Sequence, residues 1–163
     1  MGNCHSDLQI ALTELHAAEN KIADIIRSQG LRFSVNKITG DLGEYYAKVN
    51  LLGKVDLFES IITNFNSNDD CDMLGVLSEN SFLKQYFNFE DIRIEVKTRR
   101  AQEGVKYLGG VKPHKFDLLV VVDISKDYSL NNIFLVTSKT ADQYLDKKRG
   151  RLIFKDSMAF LKI

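Results

Sequence analysis

The apolar residues in the first third of the chain recur at the spacing of helices. Apolar side chains fall on one face over residues 6–28 and Gly30 follows as a stop signal, which predicts a long amphipathic helix. A second helix is expected to begin at Thr39 or Asp41, both suitable N-caps, and to end at Gly53. Because the polar face of the first helix carries no basic stripe, we expect that helix to pack against the core or a second subunit.

Short apolar runs predict strands in the rest of the chain. Residues 116–124 are nearly unbroken in apolar character after Asp117, which is typical of a strand covered on both faces. A helical turn is predicted within 82–87, and a short helix over 140–147 that begins at Ser138 or Thr140. The strands are expected at 57–63, 72–77, 92–98, 116–124, 132–136 and 152–154. This mixture predicts one α/β domain over 1–163 with a central sheet.

Two connections between these elements are polar. Residues 64–70 are predicted to form a loop. The basic connection between the strands at 92–98 and 116–124 contains Gly104, Gly109, Gly110 and Pro113. We expect this connection to be flexible or shaped by a ligand, and too polar to belong to the core.

Composition narrows the class of protein. The 163 residues carry 22 basic and 22 acidic side chains, so the net charge calls for neither a polyanionic partner nor a membrane surface. Cys4 and Cys71 lie far apart without the spacing of a zinc site or a secreted disulfide framework, which favours a reduced protein. No apolar run is long enough for a membrane span and no signal peptide is evident, so the cytoplasm is the expected location.

The charges are distributed unevenly. Residues 56–91 hold eight acids against one base, whereas 93–115 hold seven bases against two acids and 139–155 hold six against two. An acidic segment flanked by basic segments suits a metal-dependent enzyme that acts on phosphodiesters.

The strand over residues 92–97 carries the candidate chemistry. Its period of two sends Glu95 and Lys97 to the face opposite its apolar residues. Alone, this pattern also fits a solvated ladder of surface charges. If Asp72, at the start of an earlier strand, lies beside Glu95, the two carboxylates form a site for a hard divalent cation, with Lys97 at its edge to orient a nucleophile or offset developing charge. Asp69 and Asp70 compete with Asp72 for the role of ligand.

Several segments resemble the PD-(D/E)xK nuclease superfamily, which contains many restriction endonucleases and repair nucleases. Residues 40–47 resemble the first core helix, 71–74 the strand with the metal-binding Asp, 94–100 the Glu-x-Lys strand, and 115–122 the buried strand that follows. The resemblance covers about 39–137. It implies a restriction-endonuclease-like core with a central mixed β-sheet flanked by helices, and it implies that Glu44 joins the metal site.

These features together predict an Mg²⁺-dependent endodeoxyribonuclease, with Mn²⁺ as a possible substitute. A type II restriction endonuclease is the first hypothesis, with Asp72, Glu95, Lys97 and Glu44 as catalytic residues and the three carboxylates as metal ligands. The alternatives are a structure-specific repair or recombination nuclease and a nucleic-acid-binding protein that does not cleave. Duplex cutting commonly uses two sites, so a homodimer is expected, with the helix within 1–30 as a candidate interface.

Basic residues after the catalytic strand are expected to contact DNA. Their position favours contacts to backbone phosphates over reading of bases, although a solvated basic face is the simpler alternative. These residues are Arg99, Arg100, Lys106, Lys112, His114 and Lys115.

Overall fold

A computed structural model describes residues 4–28, 36–54, 56–63, 71–100 and 107–163. Predictions for the intervening residues, including the loop at 64–70, the stop signal at Gly30 and the candidate ligands Asp69 and Asp70, lie outside the described residues. The described α-helices are α1 (Cys4–Ser28), α2 (Asn36–Gly53) and α3 (Ser138–Gln143). Helix α2 therefore begins before the predicted caps Thr39 and Asp41. Thr39 and Asp41 lie within the first two turns of the helix, so residues of this kind mark its N-terminal region only approximately.

The described strands form a six-stranded and a three-stranded sheet. The larger sheet has the order β1-β2-β3-β5-β6-β9 and the smaller has the order β4-β8-β7. Within the described residues, three short 3-10 helices lie at Phe82–Gln85, Pro113–Lys115 and Asp156–Met158. The strands are β1 (Phe58–Thr63), β2 (Met73–Leu77), β3 (Asp91–Arg100), β4 (Tyr107–Gly109), β5 (Leu118–Ile124), β6 (Leu130–Thr137), β7 (Leu145–Asp146), β8 (Arg151–Ile153) and β9 (Leu161–Lys162).

The large sheet is mixed. Strands β3 and β5 run parallel, while the other neighbouring pairs in this sheet are antiparallel. Every residue from Leu118 to Val122 of β5 is buried, which confirms the prediction of a strand covered on both faces. The predicted α/β fold with a central mixed sheet and flanking helices is likewise confirmed.

Two apolar layers cover the two faces of this sheet. On one face α1 and α2 contribute Leu12, Leu42 and Leu51 to the larger core. On the other face the small sheet contributes Leu108 and Leu152 to a second core.

The glycine-rich connection was expected to be too polar for the core, and this expectation is wrong. Leu108 and Val111 from this connection are buried in the second core. In the sequence, Leu108 and Val111 are surrounded by glycines and lysines. The segment is therefore polar on average, and its strand of three residues was not predicted.

The last third of the chain differs from its prediction in length and number of elements. Helix α3 ends at Gln143, and the residues that follow form β7. The side-chain oxygen of Thr137 caps α3 by accepting a hydrogen bond from the backbone N–H of Thr140 at 3.2 Å. Strands β7 and β9 have two residues each, too few to produce a periodic signal.

No helix in the described part of the chain is long and apolar enough to cross a membrane.

Candidate active site

Strand β3 presents a polar face at the middle of the large sheet. Ile92, Ile94 and Val96 are buried in the larger core, as their alternation predicts. Glu95 and Lys97 point to the opposite face and are half-buried. The two charged side chains therefore stand where an apolar layer meets solvent.

Asp72 is fastened to β3 by two hydrogen bonds. Its backbone N–H donates to the carbonyl of Ile94 at 3.0 Å, and its carboxylate Oδ2 accepts from the N–H of Val96 at 2.7 Å. The first residue of β2, Met73, pairs with Ile94. Where the ladder between β2 and β3 stops, the Asp72 side chain thus satisfies a strand N–H in place of a backbone carbonyl.

This junction brings the predicted acids together. Continuing the antiparallel register by one residue from Met73 and Ile94 sets Asp72 opposite Glu95 on the same face. Lys97 Nζ lies 2.5 Å from Glu95 Oε1, which makes an ion pair between side chains two residues apart on the strand. The structure therefore places Asp72, Glu95 and Lys97 in one cluster.

Helix α2 brings Glu44 toward this cluster through a close approach to β3. A Cβ added to Gly43 would lie 1.7 Å from Oγ1 of Thr98, so only glycine allows the helix backbone to sit this near the strand. Glu44 follows directly in the helix and is half-buried.

Burial and then the neighbouring charges raise the pKa values of two of these carboxylates, Glu44 and Glu95. Burial raises the pKa of Glu44, and the charges of Asp72 and then Asp41 raise it further, with Lys97 opposing them and Glu95 adding a smaller rise. Burial also raises the pKa of Glu95, with Lys97 opposing and Asp72 contributing to the rise. Glu44, Asp72 and Glu95 thus form a mutually repelling acidic group that a bound cation would relieve.

The residues fit a hard divalent cation by donor chemistry, because all three acids offer carboxylate oxygens. Among the described residues, however, no group of three or more His, Cys, Asp or Glu side chains is arranged to hold a metal ion as it stands. One oxygen of Asp72 accepts the Val96 N–H and one oxygen of Glu95 pairs with Lys97. The metal-ligand roles of Glu44, Asp72 and Glu95 stay predictions.

Arg99 is held inside the fold. Its guanidinium forms a two-pronged pair with Asp123, lies 3.5 Å from Asp156 and stacks 4.7 Å from the ring centre of Phe154. Its prediction as a phosphate contact stays untested, and the structure gives its charge another partner.

Arg100 links β3 to the N-terminal helix. Nη2 lies 3.0 Å from Oε2 of Glu19, a residue only 5% exposed, and 3.1 Å from Nδ1 of His16. Nη1 donates to the Tyr128 hydroxyl at 3.1 Å, and that hydroxyl donates to Glu19. The network occupies the donors that phosphate recognition by Arg100 would need.

The remaining basic candidates follow β4. Lys112 is exposed, and its charge opposes the rise that burial causes in the pKa of Glu95. His114 is exposed and Lys115 is half-buried in the 3-10 helix Pro113–Lys115. Lys106 lies outside the described residues. Among the described candidates for DNA contact, Lys112 has a charge that acts on a carboxylate of the cluster.

Two ion pairs that join β3 to Asp117, just before β5, and to Asp123, within β5, were missed from the sequence. Asp117 accepts hydrogen bonds from Nε and Nη2 of Arg93 at 3.0 and 2.9 Å, and Asp123 pairs with Arg99 in the same way. Both pairs span 24 residues, which is the register of the parallel strands. Arg93 and Arg99 are as far apart in the sequence as Asp117 and Asp123. This equal spacing was the available signal, but it identifies the ion pairs only once β3 and β5 are known to be neighbours.

The sequence matches no protein-family model and no curated protein. Among solved structures, the chain is similar to a bacterial homing endonuclease, I-Ssp6803I, with a TM-score of 0.47 and 12% sequence identity. The similarity covers 69% of this chain and 72% of that one.

Proposed function

We propose that this chain is a metal-dependent endodeoxyribonuclease. The observation that carries the proposal is the fastening of Asp72 onto the backbone N–H of Val96 beside Glu95 and Lys97. A structural role alone accounts for the hydrogen bond of Asp72. It does not account for three carboxylates gathered in one place, where burial and then the charge of Asp72 raise the pKa of Glu44. Perturbed carboxyl pKa values of this kind are common at functional sites.

In this proposal Asp72 and Glu95 hold Mg²⁺ and Glu44 assists from α2. When bound, the metal supplies polarisation of a phosphoryl oxygen and a lowered pKa for water. The hydrogen bond from the Val96 N–H to Oδ2 restricts the orientation of the Asp72 carboxylate. Lys97 holds a positive charge beside the reacting phosphate and orients the attacking water. Lys112 supplies a further charge that attracts the phosphate backbone.

The more specific proposal is a type II restriction endonuclease of the PD-(D/E)xK kind that acts as a homodimer. Two active sites are needed to cut both strands of a duplex in one binding event, and one chain contributes one site. Helix α1 packs Leu12 and Ala23 inward while Ile10 and Ile22 remain exposed, which leaves apolar contacts for a second copy. A repair or recombination nuclease uses the same chemistry on branched DNA.

A plasmid cleavage assay tests the proposed activity. Purified protein is incubated with supercoiled plasmid in Mg²⁺, in Mn²⁺ and in EDTA, alongside the Glu95→Ala and Lys97→Ala variants. We expect nicking or linearisation by the wild type in either metal, none in EDTA, and strong loss in both variants. Unchanged cutting by both variants would show that the site lies elsewhere.

A second candidate function is DNA binding without cleavage. It is favoured by the Glu95–Lys97 ion pair, which neutralises one of the carboxylates that a metal needs. If wild-type protein binds duplex DNA but cuts no substrate with any divalent metal, this function replaces the nuclease. Defined linear and branched fragments separate the restriction and repair alternatives.

A further inference from the structure

The small sheet lies on the face of the large sheet that carries the candidate active site. Leu108 of β4 and Leu152 of β8 belong to the same buried cluster as Leu119 of β5. Leu119 is the register partner of Glu95 on the neighbouring strand. The small sheet therefore stands beside Glu95 on the surface that a substrate must approach.

Three consecutive basic residues form the turn between β7 and β8. Lys147, Lys148 and Arg149 are all exposed, and the side chains of Lys147 and Arg149 are 71% and 75% accessible. Lys147 lies 3.3 Å from Asp142 and Arg149 lies 3.8 Å from Asp146. Ion pairs this exposed are weak, so they yield readily to a polyanion.

The backbone of this turn is held in place. Oδ1 of Asp146 accepts hydrogen bonds from the backbone N–H groups of Lys148 at 3.1 Å and Arg149 at 3.3 Å. Gly150 adopts a positive φ of 59°, and its carbonyl accepts a hydrogen bond from the N–H of Gly110 at 3.2 Å. The last contact ties the turn to the segment that leads to Lys112.

The outer surface of the small sheet carries a further basic side chain and an aromatic one. Tyr107 is exposed, and the guanidinium of Arg151 lies 4.5 Å from its ring centre. Tyr107 and Ile153 are register partners on adjacent strands, and both are exposed. The small sheet therefore presents an exposed aromatic ring and a further guanidinium beside the basic turn.

We propose that the β7–β8 turn is a second DNA-contact element, in which Lys147, Lys148 and Arg149 bind backbone phosphates of the duplex whose scissile bond lies at Glu95 and Lys97. The nature of the ligand rests on the proposed function. The placement of the turn rests on the small sheet, which holds it on the active-site face. Its role is to fix the position of the duplex, because phosphate contacts set register without reading sequence.

The salt dependence of DNA binding tests this element. Affinity for a labelled duplex is measured by fluorescence anisotropy in EDTA over a range of salt concentrations, for wild type and for a triple Lys147→Ser, Lys148→Ser, Arg149→Ser variant. Loss of three phosphate contacts is expected to reduce the slope of log K against log salt by about 2.7. Thermal melting is expected to be unchanged, because the three side chains are exposed and Asp146 is retained.

A matched control removes the same charge elsewhere. Lys21, Lys54 and Lys126 are exposed on α1, after α2 and in the β5–β6 turn, and their joint change to Ser is expected to leave the slope at the wild-type value. An equal slope for the wild type and the turn variant overturns the proposal. Tighter wild-type binding to duplex RNA or to anionic vesicles than to duplex DNA also overturns it.

Binding in EDTA separates the two proposals. A wild-type protein that binds duplex DNA through the turn but never cuts contradicts the nuclease alone. A wild-type protein that cuts DNA while the turn variant binds with an unchanged slope contradicts the DNA-contact element alone.

Discussion

At the scale of single residues, Asp72 has two tasks that a pair of substitutions separates. Its carboxylate satisfies the N–H of Val96, and its charge contributes to the acidic cluster. In Asp72→Asn the amide oxygen still accepts the hydrogen bond, so stability is expected to stay near the wild-type value. In Asp72→Ala the N–H loses its partner, and we expect a loss of about 1–3 kcal/mol.

Urea denaturation measures this difference, and the plasmid assay measures activity in parallel. Both variants are expected to lose cleavage because both lose the charge. Equal stability of the Ala and Asn variants would contradict the structural task of the carboxylate.

Glu44 makes the stability of the metal-free protein depend on pH. Its pKa is raised above the ordinary value of 4.5, so the folded state binds the proton more tightly than the unfolded state. Stability from this group is therefore present at low pH and lost as pH rises through the raised pKa. Glu44→Gln cannot ionise, so it is expected to be more stable than wild type at neutral pH in EDTA, with the difference vanishing below pH 4.5.

Thermal melts of the wild type and of Glu44→Gln, from neutral pH to below pH 4.5, measure this difference in stability. Glu79→Gln, an exposed loop position, serves as the control and is expected to follow the wild type. A Glu44→Gln variant that is less stable than wild type at neutral pH would contradict the rise in the Glu44 pKa that burial and the neighbouring carboxylates cause.

At the scale of elements, the approach of α2 to β3 sets the position of Glu44. Gly43→Ala drives a methyl group into Thr98, and we expect a loss of about 1–3 kcal/mol together with reduced cleavage. Gly40→Ala in the same helix meets nothing within 4 Å, and it is expected to gain up to about 1 kcal/mol from helix propensity.

Denaturation midpoints of the two glycine variants measure this contrast. Adding Thr98→Ala to Gly43→Ala removes the oxygen nearest to the new methyl group and is expected to restore part of the loss. If Gly43→Ala and Gly40→Ala change stability equally, the close approach does not exist.

The buried network at Arg100 joins α1 to the end of β3. Glu19→Ala leaves the Arg100 charge without its main partner at a site where Glu19 is 5% exposed, and we expect a loss of about 3–5 kcal/mol. Asp142→Ala breaks the exposed pair with Lys147 and is expected to cost less than about 1 kcal/mol. Guanidinium denaturation compares the two, and a Glu19 variant as mild as the Asp142 variant would argue against the network.

At the scale of the whole molecule, the patterns that repeat over many residues predicted the fold. The alternation in β3 and the apolar run of β5 identify the two central strands, because burial on one or both faces leaves a long periodic signal. Strand β7 and the buried Leu108 escaped prediction, because an element of two or three residues carries too little pattern.

The candidate site was likewise predicted only in part. Glu95 and Lys97 were predicted to share a face from local strand geometry, and Asp72 was expected beside them. The partners of Arg99 and Arg100 depend on strand register and on the packing of α1, which the sequence does not display. For this reason the sequence did not show that Arg99 and Arg100, both predicted to contact DNA, form ion pairs within the fold.

The rate of plasmid nicking in Mg²⁺ by a Lys97→Ala variant tests the central claim most directly. Lys84→Ala is the matched control, because Lys84 also pairs with a glutamate, Glu90 at 3.5 Å, away from the cluster. We predict that the wild type and the Lys84 variant nick at the same rate and that the Lys97 variant is slower by about 10²- to 10³-fold, the scale of loss when one stabilising group is removed from an active site. Equal rates for all three proteins, or no metal-dependent nicking by the wild type, would contradict a nuclease site at Asp72, Glu95 and Lys97.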